Sequence, residues 1–320
     1  MRRLSLVLAV LLLAACSASP AGPEGDDHPA AVAPRPVNVA DPAVVPSPSA
    51  QPECNPEASY RPKAVPAPGR MPAGSAMQKI VQRGRVIIGI DQNAYLLAYR
   101  DPTTGELTGF EIDLAREISR ALFGSPDKVQ FRHITTADRI PVLQRREVDM
   151  VIRTITMTCS RWEQINFSTE YLRARQRIVV NRGSGITSLD DIAARRGKVC
   201  ATKGSTSIAK VAAVPGIVPV TTDITLDCLV LLQQGQVDAV STNDTILLGL
   251  VAQDPGTEMV GPPFSSEPSG VGIPKEDVDL VRFVNGVLER VRSSGALARS
   301  YQRWLGGLGA APVPAAVYRD

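Results

Sequence analysis

Apolar residues fall into two spacings between residues 78 and 306, and the alternation of the two predicts an α/β fold. Arg85-Val86-Ile87-Ile88-Gly89-Ile90 is a nearly continuous apolar run, the pattern of a strand covered on both faces. Glu111–Phe123 then carries Ile112, Ala115, Ile118 and Leu122 at helical spacing and stops at Gly124. Val129–His133, Val148–Ile152, Arg177–Val180, Lys198–Ala201 and Asp238–Ser241 read as further strands, and helices are expected to start near Ser188, Ser205, Thr225, Thr245 and Glu276. Such strand–helix alternation predicts mainly parallel sheets. The stretch is long enough that two lobes with a cleft between them are expected rather than one sheet.

The pattern is different before residue 78. Met1-Arg2-Arg3, an apolar run from Leu4 to Leu13 and Ala14-Ala15-Cys16 form a basic n-region, an h-region and a small-residue cleavage site. The apolar run is too short to span a bilayer. Residues 1–16 therefore read as an export signal, and Leu13-Ala14-Ala15-Cys16 resembles the lipobox of bacterial lipoproteins, whose cysteine takes the lipid. An ordinary secretory signal with a chance cysteine is the alternative. Residues 17–77 hold 14 of the 26 prolines without amphipathic periodicity and read as a tether. At about 3.1 Å per residue such a segment would reach on the order of 100 Å from a membrane.

Composition narrows the chemistry. Thirty-five basic residues against 32 acidic ones give a net charge of +3, too small and too evenly spread for a nucleic-acid partner. With two histidines in the chain, His28 and His133, neither a histidine-based triad nor a histidine-rich metal site can be assembled, and no GxSxG, HExxH or phosphate-binding loop is present. No catalytic residue, cofactor or metal is expected. Five cysteines in an oxidising compartment read as one anchor, Cys16, plus two disulfides. Of the three pairings open to the other four, Cys200–Cys228 is preferred because it joins a strand to a helix within one unit, which leaves Cys54–Cys159. Free buried thiols are the alternative.

Two polar segments follow predicted strands. Gly204-Ser205-Thr206-Ser207 would turn backbone N–H groups and hydroxyls out of a helix N-terminus toward an anion, or serve only as a helix cap. Thr154-Ile155-Thr156-Met157-Thr158-Cys159-Ser160-Arg161 combines hydroxyls with one arginine, whose planar guanidinium can clamp a carboxylate, unless Arg161 merely sits on the surface beside Glu163.

Taken in order, the motifs carry a family resemblance. Gly109-Phe110-Glu111-Ile112-Asp113-Leu114-Ala115 is similar to the GFDxDLA signature of family 3 bacterial solute-binding proteins, which serve polar-amino-acid ABC transporters. The Thr-rich stretch ending in Arg161, with Asn166-Phe167-Ser168 and Tyr171, resembles that family's TxTxxR…FSxxY segment. Gly197-Lys198-Val199, Gly204–Ser207, Val237–Val240, Gly295 and Tyr301–Gly306 complete the set over residues 78–306. Within the family the chain is most similar to actinobacterial glutamate or glutamine binders.

The resemblance implies a periplasmic-binding-protein type II fold. Its two Rossmann-like lobes would be residues 78–177 plus 268–306 and residues 178–267, with a two-strand hinge near Arg173–Ile178 and Pro268–Gly270 and a tail at 307–320. It implies that Arg161 clamps the ligand's α-carboxylate, helped by Thr156 and by N–H groups around Thr206, and that the Thr154 carbonyl meets the ammonium. Asn243-Asp244 stands where an aspartate usually meets that ammonium, Asn243 by position and Asp244 by charge. Asp91 resembles an amide-binding aspartate of glutamine binders, whereas Arg139 resembles the side-chain-carboxylate arginine of glutamate and aspartate binders; Thr135, Thr136 and Thr202 are further candidates. The implied function is a monomeric, extracytoplasmic receptor on the outer face of the membrane. It would take glutamate or aspartate, with glutamine or asparagine as alternatives, and hand it to an ABC permease. A membrane sensor as the partner, or a dehydratase-like enzyme on the same fold, are the competing readings.

Overall fold

The run Val86–Ile90 forms a strand, as its pattern predicts, within a five-stranded sheet ordered Val129–His133, Val86–Ile90, Met150–Val151, Gly272–Ile273, Asn166–Phe167. This is seen in a computed structural model of the chain, which describes residues 33–46 and 52–320; Cys16 and the expected leader lie outside the described residues. A second five-stranded sheet is ordered Val218–Thr222, Lys198–Thr202, Ala239–Asn243, Leu172–Asn181, Thr257–Ser269. In each sheet the first three strands are mutually parallel and the two remaining pairings are antiparallel. The two sheets are the cores of the two lobes. Leu172–Asn181 and Thr257–Ser269 are the crossing strands, paired from Thr257↔Asn181 to Ser269↔Leu172, with a register shift between Val260 and Ser265.

Apolar faces hold each lobe together. Ile88, Ile90, Ile112, Ile118 and Leu122 are fully buried in the first lobe, and Val179, Val220, Leu232 and Val240 in the second. Each such side chain contributes roughly 1.5–3 kcal/mol, so packing, more than helix propensity, fixes the helix Phe110–Phe123. That helix ends at Gly124 in a left-handed cap, and its first N–H groups, Phe110 and Glu111, donate to the carbonyls of Leu96 and Leu97. Gly109 makes this approach feasible. Its φ is 128°, and a Cβ there would sit 2.3 Å from the Leu97 carbonyl oxygen. The turn thereby sets where the Glu111 side chain begins.

Where described, the Pro-rich segment is packed against the lobes, which departs from the expectation of a free spacer over 17–77. Ala40 bridges Thr221 at 3.0 Å in both directions, Ala43 N–H donates to the Pro219 carbonyl, and Asp41 pairs with Lys198 at 2.7 Å. Those contacts cover the edge strand Val218–Thr222, whose exposed edge would otherwise invite strand addition. Further on, Ala58–Ser59 pairs in parallel with Val317–Tyr318. The wholly buried Asn285 amide donates to the Ser59 hydroxyl and the Tyr60 carbonyl, and Arg319 stacks over Trp162 at 3.7 Å. Sequence periodicity misses such docking because a chain without a repeating apolar face still satisfies backbone groups at a sheet edge. Both expected disulfides are present, Cys54–Cys159 with Cα atoms 5.8 Å apart and Cys200–Cys228 at 5.6 Å. The first fixes the N-terminal segment to the first lobe, while residues 40–43 lie on the second.

Replacing Gly109 with alanine puts a side chain into left-handed backbone against a carbonyl. Urea unfolding of Gly109→Ala is expected to show a loss on the order of 3 kcal/mol; a loss below about 0.5 kcal/mol contradicts this account of the turn.

Candidate ligand-binding site

The carboxyl ends of the parallel strands Val86–Ile90, Met150–Val151, Lys198–Thr202 and Ala239–Asn243 converge on a cavity between the lobes. Asp91, Thr136, Arg139, Thr154, Thr156, Thr202, Thr206 and Asn243, all singled out from the sequence, line it, together with Glu111, Arg153 and Asn93. The lobes meet over it. Gly204 of the second lobe comes so near Ala137 of the first that a Cβ on Gly204 would sit 3.1 Å from the Ala137 Cα.

Arg139 reaches this seam nearly fully buried, at 5% exposure. Its Nε donates to the Thr136 carbonyl at 2.9 Å, Nη1 to the carbonyls of Arg153 and Thr154 at 3.4 and 3.3 Å, and Nη2 to the Gly204 carbonyl at 3.4 Å. Arg161 also comes to Gly204, its Nη2 3.2 Å from the same carbonyl and its Nη1 2.8 Å from the Thr156 carbonyl. Two guanidinium groups of the first lobe thus converge on one neutral oxygen of the second. Burial, then the charges of Arg161 and Arg153, push the Arg139 pKa well below its usual value. Burial lowers Arg161 to about 10, with Glu267 acting the other way. Arg161, expected as the clamp, stands at the seam but is not one of the cavity-lining residues, whereas Arg139 is.

The acidic side chains of the wall are engaged by protein partners. Asp91 accepts from Arg153 Nη2 at 2.7 Å and from the Asn93 N–H at 2.9 Å, and Arg153 Nη1 donates to the Thr136 hydroxyl. Asp244 faces away, accepting from the Arg175 N–H at 3.0 Å and Arg175 Nε at 3.2 Å; of the Asn243-Asp244 pair only Asn243 lines the cavity. Glu111 accepts from the Thr154 N–H at 2.7 Å and the Tyr171 hydroxyl at 2.5 Å. Burial raises the Glu111 pKa against those two hydrogen bonds, and burial with the Glu111 charge raises Tyr171. Thr154 has a φ of 39°, a left-handed conformation for a β-branched residue, and the Glu111 contact holds its backbone there.

Sequence reading passed over Glu111, Arg153 and Glu267. Each carried a signal: Glu111 lies inside the GFEIDLA motif, Arg153 is a charge at the end of the apolar run 150–152, and Glu267 precedes Pro268 at the predicted crossing. Glu267 is wholly buried and gathers Thr156, Thr206, Ser265 and Lys210.

Comparison with known proteins agrees with this geometry. The sequence pattern of "Bacterial extracellular solute-binding proteins, family 3" matches residues 86–307. The chain is 30% identical to the ABC transporter glutamine-binding protein GlnH of Bacillus subtilis over 227 residues, covering 71% of this chain and 83% of that one. It is 30% identical to the glutamate-binding protein GluB of Corynebacterium glutamicum over 253 residues, covering 74% and 84%. Among solved structures, an ancestral arginine-binding protein bound to glutamine shares 34% identity with a TM-score of 0.64, covering 70% of this chain and 99% of that one. A cysteine-binding protein from Campylobacter jejuni shares 26% identity with a TM-score of 0.69, covering 73% and 94%.

Asp91 is the charge partner of Arg153 in a pair whose side chains are 9% and 5% exposed. Asp91→Asn is therefore expected to lower unfolding free energy in urea by about 3–5 kcal/mol, as for a broken buried ion pair. A fully stable Asp91→Asn protein with altered ligand choice would instead make Asp91 a specificity residue.

Proposed function

Because the chain belongs to the bacterial extracellular solute-binding proteins, family 3, we propose that it captures an acidic amino acid, glutamate or aspartate, between its lobes and delivers it to an ABC permease. The carrying observation is the convergence of Arg139 and Arg161 on the Gly204 carbonyl. A neutral oxygen is a weak partner for two guanidinium cations, and a carboxylate placed among them forms charge-assisted bonds worth roughly twice as much each. An amino acid with two carboxylates matches two guanidinium groups. An amide ligand leaves one of them unmatched, and the amide-binding role of Asp91 competes with its bond to Arg153.

Three further features support the reading. The site lies where the crossing strands allow the lobes to part and close. Relatives named as glutamine- and glutamate-binding share the chain over most of their length. The cavity offers guanidinium, hydroxyl and backbone groups suited to holding an amino-acid head group, beside carboxylates that already have protein partners.

The Cys16 sequence supports lipid anchorage on the outer membrane face, so Cys16→Ala is expected to move the exported protein from the membrane to the soluble fraction; retention at the membrane would argue against it. Calorimetry of the exported chain with glutamate, aspartate, glutamine and asparagine is expected to rank the acids above the amides. Arg139→Ala should cost the acids roughly 2–3 kcal/mol and the amides less. Equal losses, or a wild type that prefers amides, contradict the acidic ligand.

A further inference from the structure

Glu267 lies on the crossing strand, wholly buried, and receives hydrogen bonds from both lobes. Thr156 of the first lobe and Thr206 of the second each place a hydroxyl 2.8 Å from its Oε2, while the Ser265 hydroxyl, at 2.8 Å, and Lys210 Nζ occupy Oε1. Thr156 and Thr206 line the ligand cavity, whereas Glu267 stands behind them. A buried carboxylate thus stands behind the cavity wall.

Proton accounting gives this arrangement a direction. A hydroxyl has one hydrogen and two lone pairs, and an ionised carboxylate accepts only. Thr156 and Thr206, whose hydroxyl oxygens lie 3.4 Å apart, therefore both donate to Glu267, which leaves each oxygen as an acceptor on a residue that lines the cavity. Acceptors on a cavity wall select a donor, which in an α-amino acid is the ammonium group. Among the neighbouring groups Asn243 has no charge, Asp244 faces Arg175, and Asp91 and Glu111 give their oxygens to Arg153, the Thr154 N–H and Tyr171; Glu267 is also paired, with Lys210, but through Oε1, which leaves Oε2 to the two cavity-lining threonines.

We infer that Glu267 is the positioning residue for the ligand's ammonium group. Through Thr156 and Thr206 it fixes two hydroxyl acceptors on the cavity wall and sets a negative charge directly behind them. This inference rests on the amino-acid reading above and answers what that reading leaves open, namely where the ammonium finds its counter-charge when Asn243 replaces an acid. Burial alone would push the Glu267 carboxyl up, but the hydrogen bond and charge of Lys210 and the Thr156 and Ser265 hydroxyls outweigh it and hold the group below its usual value. It is thus ionised at neutral pH. The two threonines come from opposite lobes, so this ammonium subsite is complete only in the closed protein.

The test titrates the exported full chain with L-glutamate and with glutarate, which keeps both carboxylates but lacks the ammonium. In Glu267→Gln, glutamate affinity is expected to fall at least about tenfold while glutarate affinity stays within about threefold. The Lys210→Met, Glu267→Gln double variant, which leaves no lone ammonium at position 210, is expected to show the same inequality; if neither folds, Thr156→Val takes their place with the same expectation. Equal losses for the two ligands would make Glu267 a structural support only, and an unchanged glutamate affinity would remove it from recognition; either result overturns the inference. Failure of the acidic-ligand reading looks different, because the wild type itself would then prefer glutamine. The pair then becomes glutamine and its desamino analogue glutaramate, and the same inequality decides.

Discussion

Positive charge buried where two lobes meet is the constraint around which this protein is arranged. Arg139, Arg153 and Arg161 all enter the seam from the first lobe, and among the described residues Arg153 alone of the three has a carboxylate partner, Asp91, at 2.7 Å. A cation removed from water costs several kcal/mol unless its donors are matched. Backbone carbonyls of Thr136, Thr154, Thr156 and Gly204 match the geometry of the other two guanidinium groups without matching their charge. In the proposed function, a ligand carboxylate would supply the charge that these two groups lack. Because Gly204 belongs to the opposite lobe, binding and closure draw on the same few atoms.

The fold places those atoms through its backbone more than through its side chains. Parallel strands end at the cleft, so the residues at or just past their ends, Asp91, Arg153–Thr154, Thr202 and Asn243, come together around it. Gly204 allows the second lobe to approach Ala137 closely, and Gly109 lets the Phe110–Phe123 helix start hard against Leu97, which aims Glu111 at the Thr154 N–H. The N-terminal segment adds a second connection between the lobes besides the crossing strands. Residues 40–43 lie on the edge of one sheet and Cys54 is bonded to Cys159 of the other lobe.

Much of the fold was legible because local chemistry and tertiary role agreed. The apolar run at Val86–Ile90, the caps at Ser188 and Ser205, and the glycine after Phe123 mean the same thing in isolation as they do in the fold. Val218–Thr222 was hidden by Pro219, which a sheet tolerates at an edge, and Thr257–Ser269 by the Gly261-Pro262-Pro263 interruption, where the register shifts. The site was legible as a set of polar residues following strands, since the fold makes such positions converge. Its partnerships were not. That Asp91 serves Arg153, that Asp244 turns to Arg175, and that Glu267 stands behind two threonines all depend on contacts between segments distant in sequence.

A crystal structure of the exported chain grown with glutamate tests the central claim most directly. The expected result is a ligand carboxylate within about 3.2 Å of the Arg139 guanidinium, replacing its long contacts to backbone carbonyls, in a closed cleft. A closed complex in which Arg139 keeps those carbonyls and both ligand carboxylates bind elsewhere would contradict it.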